Sequence, residues 1–344
     1  LSRKIFLSIG LVALTGCGSS TPATVTPPAK AEAAKVVAVA DDAEAVAKIE
    51  ALTENLRRNA DGSITHVDLR GTDASDETLV AVGKLASLEQ LDLRECGISD
   101  AGLEHLTSLT KLKALRLSGK EGDCSVSDDG MVAVGKLTSL KVLAIDYLWI
   151  SEDGLGELSA LKNLQELYMA ETTIADEAID VMAGFLNLKK LRVARTRIGE
   201  AALASLPKLS KLEELDLSEC AQISDSAMGP LSEMKSLKKL NLWRVNLSDE
   251  GIEPLAGLTN LENLNLDNTR LSDEGLPLLS GLTKLTFLHL GSTAISDAGL
   301  THLKNLTALK DLIVTRTGVT QAGVDELKKS LPNTKIQLLY LGGE

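Results

Sequence analysis

Apolar residues recur along this chain in a fixed frame, L-x-x-L-x-L. It begins at Leu88 with Leu91 and Leu93, and restarts at Leu112, Leu140, Leu164, Leu188, Leu212, Leu237, Leu261, Leu285 and Leu309. Ile64, Val67 and Leu69 form an earlier version, and Asn333, Ile336 and Leu338 a degenerate last one. Nearly every step is 24 residues; Leu112 to Leu140 is 28 and Leu212 to Leu237 is 25. Alternation within L-x-L turns one face of a short strand inward. The apolar residues at positions 16, 19 and 22 of each unit return at helical spacing. No unit buries its own leucines, so neighbours must stack, and the pattern predicts an array of about twelve strand-and-helix units. The hexapeptide ISDAGL, present at Ile98–Leu103 and again at Ile295–Leu300, is therefore a repeated building part.

Written out, the unit is L-x-x-L-x-L-x-x-T-x-I-S-D-x-G-L-x-x-L-x-x-L. It resembles the leucine-rich repeat family, and the match runs from Ile64 to Leu338 in many in-register copies. The 24-residue S-D-x-G-L style is similar to the cysteine-containing subclass found in F-box adaptors and some bacterial effectors. The resemblance implies an α/β solenoid: a curved parallel sheet on the concave face and short helices on the convex face. It also implies a protein that binds others. No F-box region precedes the repeats, which argues against the ubiquitin-adaptor role.

Ser99, Ser127, Ser248, Ser272 and Ser296 each precede a helical pattern, where a hydroxyl can accept from the free N–H groups of the first turn. The Asp that follows each favours the positive end of the helix dipole. The Gly three residues after Ser suits close packing of adjacent coils, although it weakens the helix. The ninth position holds Thr72, Cys96, Thr172, Thr196, Cys220, Thr269, Thr293 and Thr317, small polar groups suited to satisfying the backbone where a strand bends into its loop. Lys120, Leu148 and Val245 interrupt that ladder, and the register at Lys120 is left open by the four extra residues of its unit.

The repeats do not begin at once. Arg3 and Lys4 precede a short apolar run, Ile5 to Leu14, too brief for a membrane-spanning helix and suited to a secretory signal over 1–16. Leu14-Thr15-Gly16-Cys17 resembles the bacterial lipoprotein cleavage box, which implies lipidation at Cys17 and a membrane-anchored protein of the cell envelope, outside the cytoplasm. Residues 17–40, rich in Ser, Thr, Pro and Ala, are expected to form a tether. Residues 41–60 show helical periodicity through Val46, Ile49 and Leu52 and are assigned as a capping helix, leaving 61–344 for the solenoid.

Charge and chemistry narrow the function. The formal charge of −12 becomes −14 when 1–16, with Arg3 and Lys4, are removed, which disfavours nucleic-acid binding. Cys96 and Cys220 lie five units apart, roughly 25 Å and beyond disulfide reach. Cys124 is close enough in sequence to pair with Cys96, with the free thiol the favoured reading. His66, His105, His289 and His302 cannot join a nucleophile and a carboxylate in a triad. No metal spacing and no glycine-rich phosphate loop is present. The expectation is a non-enzymatic monomer with no cofactor and no metal.

Candidate binding residues then lie at positions 2, 3, 5, 7 and 8, which the strands expose. Lys189 and Lys190, Glu213 and Glu214, and Lys238 and Lys239 fall on successive strands as a lateral charge ladder that stabilises the sheet. Tyr147, Tyr168, Trp243, Phe287 and Tyr340 occupy exposed sheet positions, whereas Trp149 is assigned to a loop. Tyr147, Tyr168, Arg192, Arg195, Trp243, Arg244 and His289 form the predicted partner-binding stripe, aromatic and arginine being the usual anchor types. The alternatives are a passive structural envelope protein, an intracellular substrate adaptor, and a hydrolase with an unrecognised site.

Overall fold

Strand β1 (Leu56–Arg58) opens a sheet of 13 strands in strict chain order. Twelve follow, one per unit and parallel to one another: β2 (Ile64–Asp68), β3 (Gln90–Asp92), β4 (Ala114–Ser118), β5 (Val142–Asp146), β6 (Glu166–Tyr168), β7 (Lys190–Arg192), β8 (Glu214–Asp216), β9 (Lys239–Asn241), β10 (Asn263–Asn265), β11 (Phe287–His289), β12 (Asp311–Ile313) and β13 (Lys335–Gln337). This computed structural model describes residues 41–120 and 124–339. The signal, Cys17, the tether and Tyr340 fall outside the described residues. Among the described residues no helix is long and apolar enough to cross a membrane.

The frame leucines fill the space between strands and helices: Leu91, Leu93, Leu215, Leu217, Leu264 and Leu266 are all buried. Strands show the matching alternation, with the middle residue buried and its neighbours half-exposed from β6 to β8. The connecting segments on the other face are short and mix α with 3-10 turns; Asp225–Glu233, with Pro230 inside it, is 3-10 throughout.

The cap differs from the single helix expected over 41–60. Helix α1 (Ala43–Glu50) buries Ala45 and Ile49, but β1 is an antiparallel strand paired to β2. The physical reason is the edge of the sheet. The first parallel strand leaves a row of free backbone groups. Asn55 C=O accepts from Asp68 N–H at 3.1 Å and Thr53 Oγ1 donates to Asp68 C=O at 2.8 Å.

The register of the long unit is also settled. Ser125 N–H donates to Ile98 C=O at 2.9 Å, as Gly97 does to Ala74 and Thr173 to Ile150. Cys124, not Lys120, therefore occupies the ninth position. It is a half-buried free thiol, and Cys96 and Cys220 are buried free thiols.

The S-D-x-G step does more than the local cap expected, which forms at Ser272 and Ser296 and not at the other three serines. Ser99, Ser127 and Ser248 make no side-chain bond to their own helix turn. Each instead donates to the Asp of the preceding unit. Ser248 N–H and Oγ reach Asp225 at 2.8 and 2.6 Å, and Ser127 N–H and Oγ reach Asp100 at 2.8 and 2.7 Å. The same link joins Ser99 to Asp76, Ser151 to Asp128, Ser272 to Asp249, Ser296 to Asp273 and Thr320 to Asp297. The glycine makes room for it. A Cβ on Gly102, Gly154, Gly251, Gly275, Gly299 or Gly323 would collide with that same Asp carboxylate. The phrase is an inter-unit clasp for which the glycine gives the close approach, and at Ser151, Ser272 and Ser296 the hydroxyl also accepts from its own first turn at 3.2–3.3 Å, as a local cap does.

The ninth-position reading holds in detail. Thr172, Thr196, Thr269 and Thr293 donate to the carbonyl three residues back at 2.6–2.9 Å. The two buried thiols reach the preceding unit instead: Cys96 Sγ to Leu69 C=O at 3.0 Å and Cys220 Sγ to Val193 C=O at 3.1 Å.

Candidate functional site

Each strand offers its third and fifth positions to the open face, and the chain then turns at the eighth. That eighth residue is left-handed in Glu95, Tyr147, Glu171, Arg195, Glu219, Arg244, Asn268, Ser292 and Arg316, with φ between 51° and 63°. The turn splits the predicted stripe into two rows. Tyr168, Arg192 and His289 lie on the strands, at the floor of the face. Tyr147, Trp243, Arg195 and Arg244 lie along its rim.

The arginines are not free anchors. Arg192 bridges Asp146 at 3.6 Å and Asp216 at 3.4 Å. Arg195 bridges Glu171 at 3.3 Å and Glu219 at 2.6 Å, and Arg244 meets Glu219 at 3.1 Å. Left-handed Glu171, Arg195, Glu219 and Arg244 thus form a rail of alternating charge along the rim. The predicted lysine ladder is likewise present, with Lys190 between Glu166 and Glu214, Lys239 on Glu214 and Lys238 on Glu213. Lys238 holds the Glu213 carboxyl below its ordinary range.

The aromatics are less exposed than their positions promise. Tyr147, Tyr168, Trp243 and Phe287 are half-buried. Tyr168 Oη donates to Glu166 at 2.8 Å, and burial pushes its hydroxyl pKa up. The Arg244 guanidinium stands 5.5 Å from the Trp243 ring centre, and Lys120 Nζ stands 5.8 Å from that of Tyr147. His289 packs edge-on against Phe287 at 6.4 Å. Burial lowers the His289 pKa, which the nearby Asp267 offsets in part. Trp149, set aside as a loop residue, is the exposed one, at 79%.

Two hollows gather these side chains. A groove of about 270 Å³ on the floor is lined by Tyr168, Lys190, Arg192, Asp216, Asn241, Asn265 and Phe287 among others. A second, of about 440 Å³ at the rim, joins Tyr147 and Arg195 to Lys120, Trp149, Glu171 and Thr173. Trp243, Arg244 and His289 line neither. The groove's asparagines have one signal in the sequence, N-x-N at Asn263 and Asn265, with Asn241 in the slot of Asn265 one unit earlier. Asn241 and Asn265 Oδ1 each accept the N–H two residues on, from Trp243 at 3.2 Å and Asp267 at 3.0 Å. Their amide NH₂ groups are thereby left as the available donors. Among the described residues no three His, Cys, Asp or Glu side chains are grouped to hold a metal ion.

The model of the family described as Leucine Rich repeat matches residues 84–107, 208–232 and 281–304, so the chain carries leucine-rich repeats. No curated protein matches it. Among solved structures, an internalin (inlF) from Listeria monocytogenes is similar, with a TM-score of 0.57 and 18% identity over 88% of this chain and 96% of that one. The Arabidopsis receptor kinase HAESA, solved in complex with the peptide hormone IDA and the co-receptor SERK1, gives a TM-score of 0.57 and 16% identity over 88% of this chain and 51% of that one. These likenesses show the leucine-rich repeat solenoid fold.

Proposed function

We propose that this leucine-rich repeat chain is a protein-binding scaffold that receives its partner on the open face of the sheet, and that a lipid on Cys17 holds it at a membrane outside the cytoplasm. The observation that carries the binding role is the floor groove. Two aromatic rings, Tyr168 and Phe287, bracket a row of amide groups held by backbone hydrogen bonds and charged groups held by ion pairs. Preorganised polar groups between rigid aromatic anchors are what a protein interface requires, because little side-chain entropy remains to be lost on binding. The fold is shared with a receptor solved in complex with a peptide hormone and a co-receptor, which supports a protein partner. The LTGC box supports the anchor. The chain is read as non-enzymatic and monomeric.

The internal pairing of Arg192, Arg195 and Arg244 favours a second reading, in which the array is a passive structural part. One experiment separates the two. Full-length protein, made in a bacterium that processes lipoproteins, is used to capture a species from an envelope extract. Tyr168→Ala and Phe287→Ala are expected to abolish capture, at about 2 kcal/mol or more each, while convex controls Glu104→Ala and Glu253→Ala retain it. Cys17→Ser should release the protein from the membrane fraction. Capture that survives both aromatic substitutions and fails in a convex control refutes the open-face assignment. An unmodified Cys17 in membrane-bound protein refutes the anchor.

A further inference from the structure

Asp92 on β3 and Arg116 on β4 stand side by side in register, yet they form no ion pair. The Asp92 carboxylate is already held by Arg94, whose Nε donates to Oδ1 at 2.9 Å and whose Nη2 donates to Oδ2 at 2.6 Å. Arg70 likewise turns to Asp68, at 3.5 Å. Arg116 is left half-buried, with no hydrogen bond or ion pair to its guanidinium among the described residues. Arg57 on β1 shares that condition. It pairs across to His66, while the neighbouring pair Leu56 and Val67 turns to the core, so Arg57 belongs to the open face. Further along that face Arg192, Arg195 and Arg244 all hold carboxylates.

The two unpaired arginines line one hollow, of about 520 Å³, at the β1 end of the open face. Its acidic residues are Glu54, Asp68 and Asp92. Arg70 and Arg94 neutralise the two aspartates, so two free guanidinium groups are set against one exposed carboxylate, that of Glu54. The hollow is a positive spot on a chain of net charge −12, where it focuses attraction on an anionic group.

The chemistry and the spacing select the ligand. A guanidinium is a planar fork of N–H donors that matches a carboxylate with two parallel bonds. Arg57 and Arg116 rise from strands three steps apart, about 14 Å, and an extended chain covers about 13 Å in four residue steps. One acidic stretch therefore meets both forks, whereas a nucleic-acid backbone would meet the repulsion of the rest of this acidic chain. The hollow is also continuous with the floor groove. Arg116, Ala144 and Tyr168 follow one another in register, Ala144 is a small residue only 6% exposed, and nothing larger in that row separates the arginine from the ring two strands away.

We infer that this hollow, through Arg57 and Arg116, receives an acidic stretch of the protein partner. This rests on the open-face reading and gives the partner a polarity: its carboxylates lie toward β1, beyond the part seated against Tyr168.

The test uses the full chain labelled with ¹⁵N at arginine, at low ionic strength because salt screens such pairs, and needs no partner. The probes are a capped pentaglutamate peptide, a capped pentaglutamine peptide of the same length without charge, and inorganic phosphate. The Arg57 and Arg116 Nε–H resonances, assigned by their loss in Arg57→Gln and Arg116→Gln, are expected to shift saturably with pentaglutamate. Either substitution should weaken the affinity, read from the resonance that remains, about fivefold or more. Glu54→Gln, which removes the opposing carboxylate, should strengthen it. Arg270→Gln, at an arginine already paired with Asp225, should leave it unchanged. Resonances unmoved by pentaglutamate, an equal response to pentaglutamine, an affinity unchanged in both arginine variants, or a response to phosphate alone each overturns the assignment. If capture depends on Tyr168 and Phe287 while pentaglutamate has no effect, this hollow is refuted as an acidic-segment site and the open-face scaffold stands.

Discussion

A single glycine can be helpful or harmful in this protein according to which side of its turn it occupies. Gly154 and Gly156 lie in the same helix, Glu152–Glu157. A Cβ on Gly154 would collide with the Asp128 carboxylate, which is clasping Ser151, whereas a Cβ on Gly156 meets nothing within 4 Å. Gly154→Ala is therefore expected to destabilise by about 1–3 kcal/mol, through overpacking and a disturbed charge-assisted bond. Gly156→Ala should stabilise by about 0.5–1 kcal/mol, because only the unfolded chain's freedom changes. Urea midpoints of the two variants decide the matter, and shifts of the same sign would mean that the clasp does not require the glycine.

At the level of the element, the strands are short, and β3 and β5 to β12 are each followed by a residue in the left-handed conformation, which non-glycine residues adopt at a cost of roughly 1–2 kcal/mol. Some of these residues recover that cost through the rim rail. Arg195 at φ 56° has two carboxylates, and Arg244 at φ 55° has one. Ser292 at φ 51° has no side-chain hydrogen bond or ion pair among the described residues. Ser292→Gly is expected to raise stability by about 1 kcal/mol, and Arg195→Gly to gain less or lose. Paired thermal melts test this. A destabilised Ser292→Gly would show that its side chain has a role the turn geometry does not require.

For the whole array the relevant quantity is acid sensitivity, because the clasps and rails are built from carboxylates in a chain of net charge −12. Thr320 holds Asp297 below the ordinary carboxylate range through its hydroxyl and its N–H. A group with a folded pKa lowered in this way contributes stability above its unfolded pKa, and that contribution is lost as pH falls through the folded value. The window therefore lies below about pH 4. Asp297→Asn should lower the urea midpoint at pH 7 and change it much less at pH 3. Equal differences at the two pH values would exclude this linkage. Asp146 acts in the opposite direction, since burial raises its pKa and protonation relieves it.

The period of the leucines determines the architecture, because a 24-residue frame of strand and helix spacing has one way to bury itself, by stacking. The ninth-position rungs were legible for the same reason: a small polar residue beside a bending strand meets a backbone carbonyl a few residues away. What lay between units was not legible. The S-D-x-G phrase reads locally as a cap, and only the stacked neighbours show Asp225 reaching Ser248 across the unit boundary. The α1–β1 cap has helical periodicity in its sequence, yet the demand of a free sheet edge turned its second half into a strand. The binding stripe was half visible. Tyr168 and Arg192 were brought to the groove, but the left-handed eighth residue moved Tyr147 and Arg195 to the rim, and pairing with carboxylates 24 residues away engaged the arginines. Sequence periodicity determines which positions face outward. Which of them are already engaged depends on side chains brought alongside from neighbouring units, as Glu171 and Glu219 are brought to Arg195, and only the folded array reveals that.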